Sequence, residues 1–420
     1  MANLEYIHFS PIRPATTRQN ATFSWDAHLL EIQRLPQIFW NEGVSWTEVN
    51  LWALDKIQHQ QRDIETVNNL LKHLQAYASY LENLDLDWRH FPTQISKRSV
   101  YIYRGELMTR IKDGTIAGST ARARMSAIIQ FYRFAQEKSL IQVERPMWTE
   151  RNVKIQHIDV TGFIRSITRK STDLTIPNKV APGVRLEDGL TPLNELHMME
   201  LINFTALHSS EELHLILTTG FFTGARLGTI TSLRIENLEQ ARQDQYVADL
   251  YLVSVGPGTK VHTKFDVSGD LLVPGVLLRR LKQYAYSATR LKRECNATKT
   301  NSSLLFITNR GNPYTRTTIG VLMTKLRQGA LKNGLQFMAS FKFHQTRATY
   351  GTWLMKMCLE VAPVGAAIEF VRMALLHRNE ATTLKYVKFL ECTAGKQKAA
   401  QEFYDAFSGL QGRDWNQYKV

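Results

Sequence analysis

The sequence predicts a mainly α-helical protein of the α+β class, and three observations support this expectation. Apolar residues recur at helical spacing from Ile64 to about Ile141, and again from Thr191 to about residue 400. One interruption has strand character: Leu250–Val255 and Leu271–Pro274 flank a polar stretch and could form a hairpin in a small antiparallel β-sheet. The 420 residues, 44 % apolar and 21 % charged, suit two or three globular domains.

The first helical region contains a helix with a basic flank. This helix follows Gly118-Ser119, a candidate cap, and its apolar face includes Met125. At roughly 100° per residue, Arg122, Ser126 and Arg133 cluster beside that face. Such a flank could bind a phosphate backbone, and a solvated surface is the alternative interpretation.

Turn-forming residues collect between the two helical regions and predict a linker. After it, Thr191-Pro192 has the pattern of a helix start, with threonine as the cap and proline in the first turn. The predicted organisation is an N-terminal arm (1–60), a helical domain (61–142), a linker (143–190), a second, α-rich domain (191–400) and a C-terminal tail (401–420).

The charge balance indicates a polyanionic partner. Lys and Arg number 52 against 38 Asp and Glu, which gives a net charge of +14 and a pI near 9.6. Such a surplus suits nucleic acid or an anionic membrane surface. Because no apolar run approaches the ~20 residues that cross a bilayer, and no signal-peptide pattern opens the chain, the sequence favours nucleic acid and predicts no membrane association.

The cysteines predict neither disulfides nor a zinc module. Cys295, Cys358 and Cys392 are widely spaced and form no Cys-x-x-Cys pair, which fits a reducing, cytoplasmic environment. The sequence also contains no His-x-x-x-His pair, carboxylate cluster or Walker-type glycine-rich loop. We therefore expect no metal site and no cofactor.

Three short segments of the second half carry candidate chemistry. The first is Thr223–Gly228, which contains Arg226; the second is His344–Arg347, whose His and Arg share a helix face; the third runs from Leu375 to Tyr386. Each is unremarkable alone, since a single arginine is usually structural and a tyrosine between apolar residues is usually part of a core. Arginines suit phosphate oxygens, and a phenol oxygen can carry a phosphoryl group.

Taken in order, these segments resemble the catalytic set of the tyrosine recombinase (phage integrase) family. The resemblance rests on Arg226, a hairpin carrying lysines, the His344–Arg347 pair, and His377 followed nine residues later by Tyr386. The Ala-Thr-Thr stretch before the tyrosine is especially similar to that family. The resemblance covers about residues 60–400, the first helical region being similar to the family's core-binding domain.

The chain departs from the family pattern at two positions. Leu376 stands immediately before His377, where the family usually has glycine, and Thr229 stands where an acidic residue often follows the first arginine. Both positions neighbour predicted catalytic residues, so they affect fine geometry more than the type of chemistry.

The resemblance implies a role for each residue of the set. Tyr386 would attack the scissile phosphate and form a 3′-phosphotyrosyl link, while Arg226 and Arg347 hold the non-bridging oxygens. His344 would accept a proton or orient the site, and His377 would donate a further hydrogen bond to the phosphate.

A hairpin lysine would protonate the leaving 5′ oxygen. Lys264 is the favoured acid and Lys260 a phosphate contact, the reverse assignment remaining open. The covalent intermediate retains the bond energy, so the resemblance implies no cofactor.

The resemblance also implies an assembly. The two domains would form a C-shaped clamp on double-stranded DNA, and four copies would act on two DNA sites, with or without accessory recombination proteins. Residues 391–420 could dock on a neighbouring subunit or pack on their own domain. A type IB topoisomerase and a catalytically inactive DNA-binding protein are the alternative functions.

Overall fold

The computed structural model describes residues 1–17, 20–25, 31–158, 164–177, 186 and 189–407. The chain divides into two compact units, Met1–Ala181 and Pro182–Val420. The predicted tail lies outside the described residues from position 408 onward, and residues 401–407 continue a helix. None of the described helices is both long and apolar enough to span a membrane.

In the residues that the structure describes, the first unit combines helices with three two-stranded antiparallel sheets, which pair β1 with β4, β2 with β3 and β5 with β6. Its strands and helices, in chain order, are β1 (Asn3–Phe9), β2 (Ile12–Thr17), β3 (Asn20–Trp25), β4 (Ile32–Phe39), α1 (Thr47–Gln58), α2 (Ile64–Asn83), α3 (Ser99–Lys112), α4 (Gly118–Glu137), β5 (Glu150–Ile158) and β6 (Ile164–Thr172).

Aromatic packing holds the first unit together. The Trp46 ring centre lies 5.4 Å from that of Phe131 on α4 and 6.5 Å from that of Tyr77 on α2, and Trp52 is likewise buried against Phe131. The tryptophans come from residues 1–60, which the sequence assigns to a separate arm. In the structure these tryptophans share one core with the helical domain.

The segment assigned to a linker, 143–190, is also structured in its described part. Met147 and Trp148 before β5, and Leu174 and Ile176 after β6, are buried in the same core. Two of the turn-forming residues that suggested a linker, Pro146 and Pro177, therefore flank a β-hairpin. The three residues of the predicted basic flank, Arg122, Ser126 and Arg133, are exposed on α4.

The second unit is α-rich around a three-stranded antiparallel sheet of order β7-β8-β9. Its elements are α5 (Glu195–His208), α6 (Glu211–Thr223), α7 (Leu227–Thr231), α8 (Ile235–Glu239), β7 (Arg242–Gln243), β8 (Leu250–Val255), β9 (Gly269–Pro274), α9 (Gly275–Ala285), α10 (Ala288–Glu294), α11 (Arg316–Lys332), α12 (Gln345–Val361), α13 (Val364–Ala374) and α14 (Glu380–Phe407). The predicted hairpin and the α-rich α+β class are thus confirmed.

Two predicted helix starts are displaced. The helix expected at Thr191-Pro192 begins at Glu195, because the Asn194 side chain accepts the backbone N–H of His197 and caps it there. Helix α4 does begin at Gly118, but its cap position is Ala117, and no side chain caps it.

Candidate active site

The turn after α6 places Arg226. Gly224 ends this helix with φ +64, in the left-handed region that glycine adopts without strain. A Cβ atom at this position would lie 2.4 Å from Cδ1 of Tyr350, so the close approach of α12 also requires glycine. The turn makes Arg226 the half-buried residue that precedes α7.

Arg347 ties two of the candidate segments together from α12. Its side chain is only 2 % exposed; Nη1 donates to the carbonyl of Gly224 at 2.7 Å, and Nη2 donates to that of Leu375 at 2.6 Å. These carbonyls lie at the C-terminal ends of α6 and α13, where the helix dipoles favour a cation. Arg347 thereby holds the segment of Arg226 beside the segment of His377.

His344 lies at the start of α12, one turn before Arg347, and is half-buried. The next residue, Gln345, fixes this helix end, since its amide donates to the carbonyl of Thr191 at 2.9 Å and its oxygen accepts the backbone N–H of Lys342 at 2.7 Å. The helix start that carries His344 is therefore anchored on both sides.

His377 follows α13 through a turn of the Schellman type. The backbone N–H of Leu376 donates to the carbonyl of Met373, and that of His377 donates to the carbonyl of Arg372. This geometry requires positive φ after the helix, and Leu376 adopts φ +51. At the position where the family usually has glycine, Leu376 thus holds a left-handed conformation that is strained for a leucine.

Tyr386 lies beside His377 and is fully buried. The two rings stack with centroids 6.2 Å apart, and Nδ1 of His377 lies 2.9 Å from the hydroxyl oxygen of Thr383, one turn before the tyrosine. The tyrosine has 0 % exposure and packs where α14 crosses α12 at Gly351. A Cβ at Gly351 would lie 2.6 Å from Cε1 of the Tyr386 ring, so the glycine makes room for it.

A second buried phenol adjoins the set. Burial raises the pKa of Tyr350 to about 12, so this hydroxyl stays protonated at neutral pH. Its ring packs against Gly224, and it is 6 % exposed. Tyr350 therefore serves as packing beside the set.

The hairpin lysines lie on the surface. Lys260 is exposed in the turn after β8 and forms an ion pair with Glu236 at 3.3 Å. Lys264 is exposed nearer the returning strand, with its ammonium 5.2 Å from the centre of the Phe265 ring. The hairpin meets the His377 segment through Leu376, whose Cδ2 lies 2.4 Å from the position of a Cβ at Gly269.

On α4, Arg133 makes contacts that the sequence did not indicate. Its Nη2 donates to both carboxylate oxygens of Glu150, at 2.9 and 3.1 Å, and its guanidinium lies 6.0 Å from the Trp148 ring centre. Burial acts in the opposite direction, but hydrogen bonds from Trp148 and Arg133 lower the pKa of Glu150 below its ordinary value. Arg133 thus joins α4 to the root of the β5–β6 hairpin.

Sequence reasoning missed two contributors to the site, Thr383 and Gly351. Thr383 stood within the recognised Ala-Thr-Thr stretch, and its offset of three from Tyr386 places both on one helix face. Gly351 gave no signal, because its role depends on where a distant helix crosses.

Comparisons with known proteins bear on the family and the fold. Residues 193–391 match the phage integrase family. The Tn1549 transposon integrase in complex with transposon right end DNA is 11 % identical, with 83 % of this chain and 98 % of that chain covered and a TM-score of 0.50. The same integrase in complex with a circular intermediate DNA is also 11 % identical. In that comparison 83 % of this chain and 99 % of that chain are covered, and the TM-score is 0.50.

Lambda integrase bound to DNA is 12 % identical over 89 % of this chain and 98 % of that chain, with a TM-score of 0.48. No curated protein sequence matches this chain.

The second unit therefore has the fold of a tyrosine recombinase. Residues 193–391 are a domain of the phage integrase family, and the resemblance stated from the sequence is confirmed.

Proposed function

We propose that this chain is a site-specific DNA recombinase that cleaves and rejoins DNA through a 3′-phosphotyrosyl intermediate on Tyr386. The observation that carries the proposal is the position of Arg347, which holds the segments of Arg226 and His377 against each other by two carbonyl contacts. His377 in turn stacks beside the tyrosine. Residues from three separated parts of the chain thus converge on one place.

The chemistry follows from these residue types. The phenol oxygen of Tyr386 bonds to phosphorus as the bond to the 5′ oxygen breaks, and the leaving oxygen takes up a proton. Arg226 and Arg347 stabilise the charge on the non-bridging oxygens, because planar guanidinium groups match them bidentately. His344 accepts the phenol proton or orients the site, and His377 donates a hydrogen bond to the phosphate.

The acid in this proposal is Lys264. Its ammonium is exposed on the hairpin turn, whereas Lys260 is engaged with Glu236. A flexible, exposed amine can reach the leaving oxygen of a docked duplex, which makes Lys264 the better donor and Lys260 a candidate phosphate contact.

The burial of Tyr386 adds a conformational step. Its ring is enclosed between α12 and His377, so the first turns of α14 must shift before the oxygen reaches a phosphate. Cleavage then depends on an event that displaces the ring, and DNA binding is the candidate event. Such gating would keep the nucleophile inactive away from DNA.

Strand exchange requires several copies, and we propose four copies on two duplexes. Exposed apolar side chains on α12 and α13 support self-association: Trp353 is 52 % exposed, Val361 87 % and Met373 60 %. Where such side chains form a contiguous patch, they mark an interaction surface.

The test replaces Tyr386 by phenylalanine, which removes one oxygen atom. We expect Tyr386→Phe to bind DNA as the wild type does and to form no covalent adduct. The substrate is a library of nicked duplexes of randomised sequence, in which the short 5′ fragment diffuses away after cleavage and traps the adduct. Denaturing gels measure the adduct, and sequencing the trapped DNA identifies the site.

Tyr350→Phe is the matched control, since it removes an equivalent oxygen from a neighbouring buried ring and should still form adduct. An adduct formed by Tyr386→Phe would place the nucleophile elsewhere. Adducts formed with no sequence preference, together with relaxation of supercoiled plasmid, would instead indicate a topoisomerase.

A further inference from the structure

The β5–β6 hairpin of the first unit is a ribbon that packs on little else. Its two nine-residue strands pair with each other from Glu150↔Thr172 to Ile158↔Ile164, and no other described helix or strand packs extensively on them. Residues 151–154 and 168–170 are all exposed, including Val153 at 44 %. Because an isolated two-stranded hairpin has only marginal stability in water, we expect such a ribbon to bind a partner.

The ribbon carries a net positive charge. Its strands contain five lysines and arginines and no acidic residue beyond Glu150 at the root. Four of these cations have described, exposed side chains: Arg151, Lys154, Arg169 and Lys170. A surface of this kind is complementary to phosphate.

The register distributes these cations over both faces. In an antiparallel pair, directly opposed residues share a face. Arg151 opposes Ser171 and Arg169 opposes Val153, which puts both arginines on one face; Lys154 opposes Thr168 and Lys170 opposes Asn152, which puts both lysines on the other. A ribbon lying flat on a polyanion needs cations on one face only. A ribbon inside a groove has phosphates on both sides.

The acidic residues at the root fasten the ribbon to the unit. Glu150 binds Arg133 of α4, and Asp173, just after β6, accepts the hydroxyl of Tyr101 on α3 at 2.5 Å and the backbone N–H of Thr149 at 3.2 Å. The ribbon therefore projects from the helix that carries the exposed Arg122 and Ser126. Its strands of nine residues extend roughly 30 Å, close to one turn of B-DNA.

We infer that this ribbon inserts into the major groove of duplex DNA, with Arg151 and Arg169 facing one phosphate backbone and Lys154 and Lys170 facing the other. The major groove, about 12 Å wide, admits a two-stranded β-ribbon. The inference rests on the proposed function for the identity of the partner. It adds a contact that the catalytic domain does not supply.

Two variants separate the faces: Arg151→Gln with Arg169→Gln, and Lys154→Gln with Lys170→Gln. The matched control is Lys112→Gln with Lys138→Gln, which removes two exposed charges elsewhere in the same unit. Affinity for a mixed-sequence duplex is measured over a range of salt concentrations. Each face variant should weaken binding and lower the slope of log K against log salt by about 2, since each removed cation leaves one phosphate without its neutralising partner.

Dimethyl sulfate footprinting then tests the groove. Guanine N7 lies in the major groove and adenine N3 in the minor groove. The wild-type chain should protect guanine N7, and both face variants should lose part of that protection while their thermal unfolding stays unchanged. Protection at adenine N3 instead would overturn the groove assignment.

Loss from only one face variant would indicate a flat contact, and an equal loss in the control would indicate a general charge effect; either result overturns the inference. Wild-type binding and Tyr386 adduct formation, measured on the same preparation, report separately on the proposed function. If the wild-type chain cleaves DNA and both face variants bind DNA as the wild type does, the inference about the ribbon is wrong and the proposed function is unaffected.

Discussion

At the scale of single residues, Leu376 shows which structural properties can be predicted from the sequence and which cannot. Its departure from the family's glycine is visible in the sequence, but its φ of +51 is not, because the turn depends on where α13 ends. The structure explains how the leucine is tolerated: its side chain packs against the backbone of Gly269 at the start of β9. A strained backbone is thus combined with an added contact between the hairpin and the His377 segment.

The strain predicts that the Gly variant at position 376 is more stable than the Ala variant, which is the reverse of the order in a helix interior. Leu376→Ala removes the packing against Gly269 and keeps the strain, whereas Leu376→Gly removes the same packing and relieves the strain. The left-handed conformation costs about 1–2 kcal/mol and glycine loses about 0.4–1 kcal/mol through the unfolded state, so the Gly variant should have the higher free energy of unfolding by roughly 1 kcal/mol. Urea titration of both variants measures this difference.

Lys325, exposed on α11, provides the control. There Lys325→Gly should be less stable than Lys325→Ala by about 1 kcal/mol, as in any helix interior. The same order at both positions would show that Leu376 carries no backbone strain.

At the scale of elements, the sequence predicts helices and strands that have one buried face. It predicts neither strands that are exposed on both faces nor the places where two helices cross. Strands β8 and β9 were predictable because apolar runs are bounded by turn residues. Strands β5 and β6 were not, because most of their described side chains are exposed on both faces and no buried stripe marks them. The crossing of α6 with α12, which positions Arg347, is likewise set by distant residues.

That crossing makes two helix glycines behave oppositely. A Cβ on Gly220 of α6 would lie 2.6 Å from the Thr346 hydroxyl oxygen, whereas a Cβ on Gly320 of α11 would meet nothing within 4 Å. We expect Gly220→Ala to lower the free energy of unfolding by about 1–3 kcal/mol through overpacking. Gly320→Ala should raise it by about 0.5–1 kcal/mol, because alanine is the better helix former. Chemical denaturation compares the two, and a stabilised Gly220→Ala would mean that the helices separate easily.

At the scale of the whole molecule, long-range packing limited the prediction. The sequence separated residues 1–60 from the helical domain, although Trp46 and Trp52 complete its core. The set of candidate catalytic residues was recognisable because its residue types and order are specific. The burial of Tyr386 was not, since it depends on Gly351, which is distant in the sequence.

The overall charge leads to a prediction for the complete chain. A protein with net charge +14 that tracks a duplex backbone releases counterions on binding. Log K should fall linearly with log salt, and about six phosphate contacts would cost about a thousandfold in affinity between about 50 and 200 mM salt. Fluorescence anisotropy with a labelled duplex measures the slope, and a flat response would exclude a backbone-tracking interface.

Arg347 also constrains how this protein can be engineered. Its guanidinium joins the carbonyls of Gly224 and Leu375, so replacing it leaves two buried acceptors unsatisfied, at about 1–3 kcal/mol each. A designer who wants a silent DNA-binding version should therefore alter Tyr386, where one oxygen is removed, and leave Arg347 in place. Grafting this site onto another scaffold would require the C-terminal ends of both α6 and α13. The arginine that is proposed to hold the phosphate also joins these two helix ends.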